Sequence, residues 1–463
     1  MKNIILVITD TFRFDNLFDY AERPINTPML DAFVDERATS VESFFAGSFP
    51  TIPHRTDVAR GVLGWPHYGW QPLDKSGPNH IARILGHQGY ATQLICDCPH
   101  LFNNNFQSGF TAAFQHRGQE GDKHLLHLND PIPESIPLNK TRQRPLWRGH
   151  SLADQHRWLN RFYNVEDQMF SAQTSATAVK WLEENYEANP FFLWVDFFDP
   201  HEPWDAPEYM VRRYDPLYSG EPMIHCNYGP ASDYSTEELT NLWAHYAAES
   251  ELVDRHIGRI LQKVDDLNLW EDTIVVVTSD HGTSIGEHNR TGKSNICDHD
   301  GRYWPIYPEV GHVPFLIAGG DVLRGQRCSI IAQPIDLLPT LSELAGFETT
   351  TRIAIEGLSF AGSLRGQDGQ HRDAAVSATF VTPAIDGTCP ERAVTPFVVH
   401  NGWGFAPVGA NGSTELYDLR DDPTATHDLS AKHPQIVRKM RSKFADYMAS
   451  FNAPKLIVDC WTG

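Results

Sequence analysis

The sequence predicts an α/β protein, a doubly wound sheet followed by a smaller C-terminal α+β subdomain, divided as residues 1–360 and 361–463. Three observations predict it. Continuous apolar, β-branched runs suit strands buried on both faces of a parallel sheet. Polar residues close the main runs, and two of these runs follow helix-like stretches. Buried strand, polar tip and helix, repeated, make a doubly wound fold, which binds ligands beyond the carboxyl ends of its strands.

The first run is NIILVI at 3–8, followed at once by TDTFRFD. The second, FFLWVDFFD at 191–199, follows the helix-like 172–186 and leads into PHEPW. The third, TIVVVTSDHG at 273–282, follows a long helical stretch from Thr236 to Val264. HVPFLIAGG at 312–320 reads as a further strand, and IDLLPTLSELAG at 335–346 as a short helix ended by Gly346. Past residue 360 short strands are expected at 374–381, 397–408 and 414–419, with an amphipathic helix at 436–451. Residues 101–160 and 204–235 lack periodicity and are expected to wall a substrate pocket.

A chain of 463 residues with 41% hydrophobic content can bury a full core. Its net charge of -21 and lack of Lys/Arg clusters exclude a nucleic-acid binder. An anionic substrate then needs a site that is locally positive or metal-loaded. The run Ile4–Ile8 is too short for a signal peptide, and no stretch is long and apolar enough for a membrane span. Seven scattered cysteines do not form a disulfide framework, so reduced thiols and a cytoplasmic location are expected. Cys96 and Cys98 lack the second pair of a structural zinc site. The size and acidity are compatible with a homo-oligomer.

Three strand tips carry groups for chemistry. Asp10 ends the first strand, His201 follows the second, and Asp280 and His281 end the third. Asp10, Asp280 and His281 together would suit one cation with oxygen and nitrogen ligands; Asp10 alone reads more often as a turn or helix cap. In GSFPTIPHRTDVARG at 47–61, Thr51 would open a helix whose free N–H groups favour an anion. Held on a divalent cation, Thr51 would be a nucleophile, with Arg55 one turn on stabilising it. The other reading makes Ser48 or Thr51 a helix cap. Lys293, in GEHNRTGK, would neutralise a substrate oxygen or be a solvated surface charge.

Taken jointly, the motifs resemble the sulfatase family of the alkaline-phosphatase superfamily. The likeness runs through NIILVITDTFRFD at 3–15, Pro53-His54-Arg55 with Gly61, FFLWVDFFDPHEPW at 191–204 and HYAAESELVDRHIGRIL at 245–261. It continues through TSDHGTSIGEHNRTGK at 278–293, GHVPFLIAGG at 311–320, DLLPTLSELAG at 336–346 and ELYDLRDDP at 415–423. The resemblance implies an alkaline-phosphatase-like fold and metal ligation by Asp10, Asp280 and His281, with Thr51 as nucleophile and cation ligand. It also implies stabilisation by Arg55, contact of His201 with the leaving group, substrate binding by Lys293 and a pocket position for His100. Tyr246, Asp254 and Gly258 would be scaffold, and residues 117–122 scaffold or pocket wall.

Two departures matter. Sulfatases of this kind carry cysteine or serine, converted to formylglycine, where this chain has Thr51, which has no route to that aldehyde. The reading therefore moves to phosphate mono- or diesters or phosphonate esters, with a covalent intermediate on Thr51 and a small anionic ester as substrate. Asp10-Thr11 and Asp280-His281 stand where calcium-dependent relatives have Asp-Asp and Asp-Asn. An imidazole ligand favours manganese or zinc, with calcium an alternative, as in one-metal phosphonate and phosphodiester hydrolases. His288, His299 and His312 read as a second-metal set or as wall and surface histidines. The alternative functions are a sulfatase acting without formylglycine and an inactive anion-binding relative.

Overall fold

The computed structural model describes residues 1–17, 23–75, 77, 80–119, 122, 140, 141, 151–163, 165–349, 354–367, 369 and 371–462. Glu120, Gly121 and most of the expected pocket wall at 123–150 lie outside these residues.

Eight strands form one sheet in the order Gln326–Ala332, Thr39–Phe44, Phe315–Ala318, Thr273–Ser279, Asn3–Thr9, Phe191–Phe197, Ala91–Cys96, Ala112–Gln115. Phe315–Ala318 runs against both neighbours, and the remaining pairings are parallel. The first strand alternates its side chains between two cores. Ile4, Leu6 and Ile8 join Ile52 and Val58 of helix Thr51–Arg60 and Leu338 and Leu341 of helix Leu337–Ala345 on one face. Ile5 and Val7 join Phe33 of helix Pro28–Glu36, Leu182 of helix Phe170–Asn185 and Ile257 of helix Thr236–Asp266 on the other. Burial on both faces is why this strand reads as an unbroken apolar run. The long helix serves as scaffold: Asp254 accepts from the Met29 and Leu30 amides at the start of helix Pro28–Glu36. The Tyr246 hydroxyl donates to the Thr11 carbonyl at 2.9 Å.

Ala374–Ser377, Phe397–His400, Trp403–Ala406 and Glu415–Asp418 make an antiparallel sheet with helices Pro434–Ser450 and Lys455–Thr462 beside it. Its core of Val376, Phe405, Met440 and Phe444 extends to Leu63, Trp65 and Ile335 of the larger part. The Phe49 amide donates to the Ala378 carbonyl, so this unit braces the segment just before Thr51. The expectation of reduced cysteines fails at one pair: Cys389 and Cys460, 71 residues apart, form a disulfide within this unit. No helix among the described residues is long and apolar enough to cross a membrane.

Candidate active site

Strand register assembles the site. Thr9 pairs with Ser279 on one side and Phe197 on the other, so Asp10 and Asp280 leave adjacent strand ends together. One ligand atom each from Asp10, Asp280 and His281 lies within 4.8 Å of the others, and all three side chains are fully buried. The His281 Nδ1–H donates to the Gly282 carbonyl at 3.0 Å, which leaves the lone pair on Nε2. That Nε2 has no hydrogen-bond partner and stands 3.5 Å from Asp280 and 3.7 Å from Asp10. Burial pushes His281 down to about 3, so the imidazole is neutral, as a ligand requires. Burial and the Asp10 charge push Asp280 up, whereas at Asp10 burial is outweighed by the nearby positive groups, Arg55 and Lys293 among them, which hold it down. Two enclosed carboxylates and an orphaned imidazole nitrogen fit a divalent cation. His281→Ala is expected to weaken manganese binding at least about 100-fold; elemental analysis after equilibrium dialysis would reveal unchanged affinity if the assignment is wrong.

Thr51 is the first residue of helix Thr51–Arg60 and is 3% exposed. Neither hydroxyl reading as a helix cap holds. The N-cap position belongs to Pro50, and the Ser48 hydroxyl instead donates to Asp57 at 2.9 Å. Gly61, at φ 64°, closes the helix in the left-handed conformation that glycine adopts without strain. The Phe49 ring lies 4.9 Å from that of His281. Arg55 is fully buried and binds carboxylates at both ends. Its Nε and Nη2 hold Asp196 at 3.0 and 2.9 Å. Its Nη1 reaches Asp10 at 3.3 Å, Asp280, and the Thr51 carbonyl at 3.4 Å.

Lys293 Nζ donates to the Thr11 hydroxyl at 2.9 Å, and that hydroxyl donates to Asp10 at 2.8 Å. Lys293 also pairs with buried Glu202 at 3.3 Å, which accepts in addition from the Tyr228 hydroxyl. The charges of His201, Lys293 and His225 hold Glu202 below the usual carboxylate range despite its burial. His201 stacks on Phe198 at 4.1 Å and donates from Nδ1 to the Glu202 carbonyl at 2.6 Å. His100, at the start of helix Pro99–Asn103, packs edge-on to the same Phe198 and to Trp70. Burial, with the nearby His201 charge, takes His100 down to about 4.

The structure thus gathers Asp10, Thr51, Arg55, Asp280 and His281, with Lys293 tied in through Thr11 and His201 through Glu202. His288, His299 and His312 do not join this cluster. His312 donates to the Glu42 carbonyl between the rings of Phe14 and Phe45. His288 bonds Glu309 at 3.0 Å and the Ala425 carbonyl at 2.8 Å. Burial opposes its charge, but the Glu309 carboxylate raises His288 to about 9. A folded-state value above the ordinary 6.5 means stability that is complete below pH 6.5 and lost as pH rises through about 9. The chain should lose on the order of 3 kcal/mol over that window. Urea denaturation would show it, and His288→Gln should flatten the profile.

Sequence reasoning passed over Asp196, Glu202 and Thr11. Asp196 is the one charge inside FFLWVDFF, a signal that was there to be used. Thr11 has φ 67°, a left-handed backbone rare for a threonine, beside the acids it bridges. His54, between Thr51 and Arg55, is fully buried with neither ring nitrogen hydrogen-bonded. Within 117–122, Gln119 donates to Asp199 at 2.6 Å, a scaffold contact. A cavity of about 750 Å³ lined by Phe14, His312, Arg372 and Arg420 lies apart from the cluster, against the C-terminal unit.

A family model described as Sulfatase matches residues 2–347. Human arylsulfatase K is 22% identical over 488 residues, covering 98% of this chain and 83% of its own length. The phosphonate monoester hydrolase of Agrobacterium radiobacter superposes with a TM-score of 0.71 at 20% identity, over 97% of this chain and 96% of its own. The phosphonate monoester hydrolase SpPMH of Silicibacter pomeroyi superposes at 0.72 and 18% identity, over 99% and 97%. With a family match over most of its length and a cation cluster at the strand tips, the chain belongs to the sulfatase family and is a metal-dependent ester hydrolase.

Proposed function

We propose that the chain hydrolyses phosphate mono- or diesters or phosphonate esters through a covalent intermediate on Thr51. One observation carries this reading: a single Arg55 nitrogen reaches the Thr51 carbonyl and the carboxylates of Asp10 and Asp280. The helix start that bears Thr51 is therefore one guanidinium away from the cation cluster. Asp10, Asp280, His281 and the Thr51 hydroxyl would hold a divalent cation, manganese or zinc suiting the imidazole, which would supply positive charge to acidify that hydroxyl and offset charge on the substrate.

The residues of the chain do the rest. Thr51, its hydroxyl proton released to solvent, attacks phosphorus in line, forming the Thr51 Oγ1–P bond as the ester P–O bond breaks. Arg55 steadies the nucleophile and an equatorial oxygen, and Lys293 holds another. His201, its ring set by the Glu202 carbonyl, hands a proton to the departing oxygen. His100, neutral at ordinary pH, takes a proton from the water that cleaves the adduct and regenerates Thr51.

The test is a matched panel of aryl phosphate, phosphonate and sulfate esters with manganese or zinc, joined to an intact-mass search for an adduct on Thr51. Turnover of phosphorus esters with a Thr51 phosphoryl adduct is expected. The arylsulfatase name of the human relative favours a second reading, a sulfatase working without formylglycine. Sulfate turnover well above that of the matched phosphate would select it.

A further inference from the structure

A second group of metal-binding side chains lies outside the active site, on the lobe that presents Lys293. Gly229–Pro230, Arg290–Gly292 and Ser284–Ile285 form a small antiparallel sheet with Arg290–Gly292 in the middle. Two loops leave it. The one after Gly229–Pro230 carries Asp233, and the one after Arg290–Gly292 carries first Lys293 and then Cys297 and His299. His299 Nε2 stands 3.5 Å from Cys297 Sγ and 2.8 Å from Asp233 Oδ2. One donor atom from each of the three lies within 4.8 Å of the others.

The surroundings aim these donors. The Asn227 side-chain amide donates to Asp233 Oδ2 at 2.9 Å, and its oxygen accepts from the Thr291 hydroxyl at 2.6 Å. Such outer bonds fix a ligating carboxylate. Cys297 is 1% exposed, and its carbonyl accepts from Arg392. His299 is about half exposed, which gives an ion a way in from solvent.

We propose that Asp233, Cys297 and His299 form a second cation site, selective for zinc or a similarly soft divalent ion. Thiolate with imidazole selects such ions over calcium or magnesium. Zinc bonds of roughly 2.0–2.3 Å in a tetrahedron hold donors about 3.3–3.8 Å apart; the Cys297–His299 pair already meets that spacing, and Asp233 and His299 need to part by about half an ångström. Binding forms the metal–sulfur bond as the Cys297 thiol proton, and any imidazolium proton of His299, leave to water. The fourth position falls to water. The ion ties the loop bearing Asp233 to the loop that begins at Lys293, and so holds Lys293 on Thr11 and Glu202. The site stands independently of the ester chemistry proposed above.

Sulfur makes it testable. Asp10, Thr51, Asp280 and His281 offer no thiolate, and Cys96, Cys98, Cys226 and Cys328 remain in a Cys297→Ser variant, so a thiolate-to-cobalt charge-transfer band lost in that variant reports the second site. Full-length protein stripped with chelator and dialysed against cobalt(II) is expected to show that band and to bind two cobalt ions per chain. Cys297→Ser should abolish the band and lower the content to one, and the exposed substitution His299→Ala should weaken the band without disturbing the fold. Absence of the band in the parent, its persistence in Cys297→Ser, or equal cobalt content in parent and variant would overturn the proposal.

Discussion

Thr51→Ala is expected to lower kcat/KM for aryl phosphate and phosphonate esters by about 10,000-fold or more, the scale of removing a nucleophile that acts together with its activating groups. The fold should be untouched. Thr51 sits inside the first turn and caps nothing, the N-cap being Pro50, and alanine is the better helix former. The thermal midpoint should therefore stay within a few degrees while the covalent adduct disappears from the mass spectrum. Thr51→Ser should keep measurable turnover, because it retains the hydroxyl. A Thr51→Ala enzyme within tenfold of the parent would remove Thr51 from the chemistry.

Arg55→Met is expected to cost stability rather than activity alone. Asp10, Asp196 and Asp280 are all fully buried, and Arg55 is the guanidinium that binds the three of them. Removing one partner of a buried ion pair typically costs about 3–5 kcal/mol, against a whole-domain stability of roughly 5–15 kcal/mol. Urea denaturation should place the variant near the edge of folding. Two accompanying results separate the charge effect from lost packing. Adding Asp196→Asn should restore part of the loss, and manganese should raise the midpoint of the variant more than that of the parent. A midpoint shift worth less than about 1 kcal/mol would mean that the carboxylates find other compensation.

The elements legible in the sequence were those with one unambiguous environment. Asn3–Thr9 and Thr273–Ser279 are buried on both faces and read as strands. Helices Phe170–Asn185 and Thr236–Asp266 sit where periodicity puts them, to within a few residues. Thr39–Phe44 was missed because TSVESF carries polar residues into a sheet, where Ser40 and Thr39 are nevertheless buried. Ala112–Gln115, four residues at the sheet edge, is too short to show a period. The cation cluster was legible because its residues end strands, a position that strand runs reveal. The bonds that hold Arg55 were not: Asp196 is 141 residues away in sequence, and only the register of Ile8 with Asp196 brings it near Asp10. Cys389 and Cys460 failed for the same reason, since no spacing rule links them.

The pairing of the first strand has a consequence for biosynthesis. Asn3 meets Thr273 across 270 residues, so a ribosome that adds about 5–20 residues per second leaves Asn3–Thr9 without that neighbour for roughly 14–54 seconds. Until Phe191–Phe197 is made both edges of this apolar segment are open to other nascent chains, and from then until Thr273–Ser279 is made one edge is, the condition in which strand edges aggregate. Expression from a weaker promoter, which puts fewer nascent chains side by side, or with holdase chaperones in excess, should therefore raise the soluble yield of this chain more than it raises that of a helical protein of equal length.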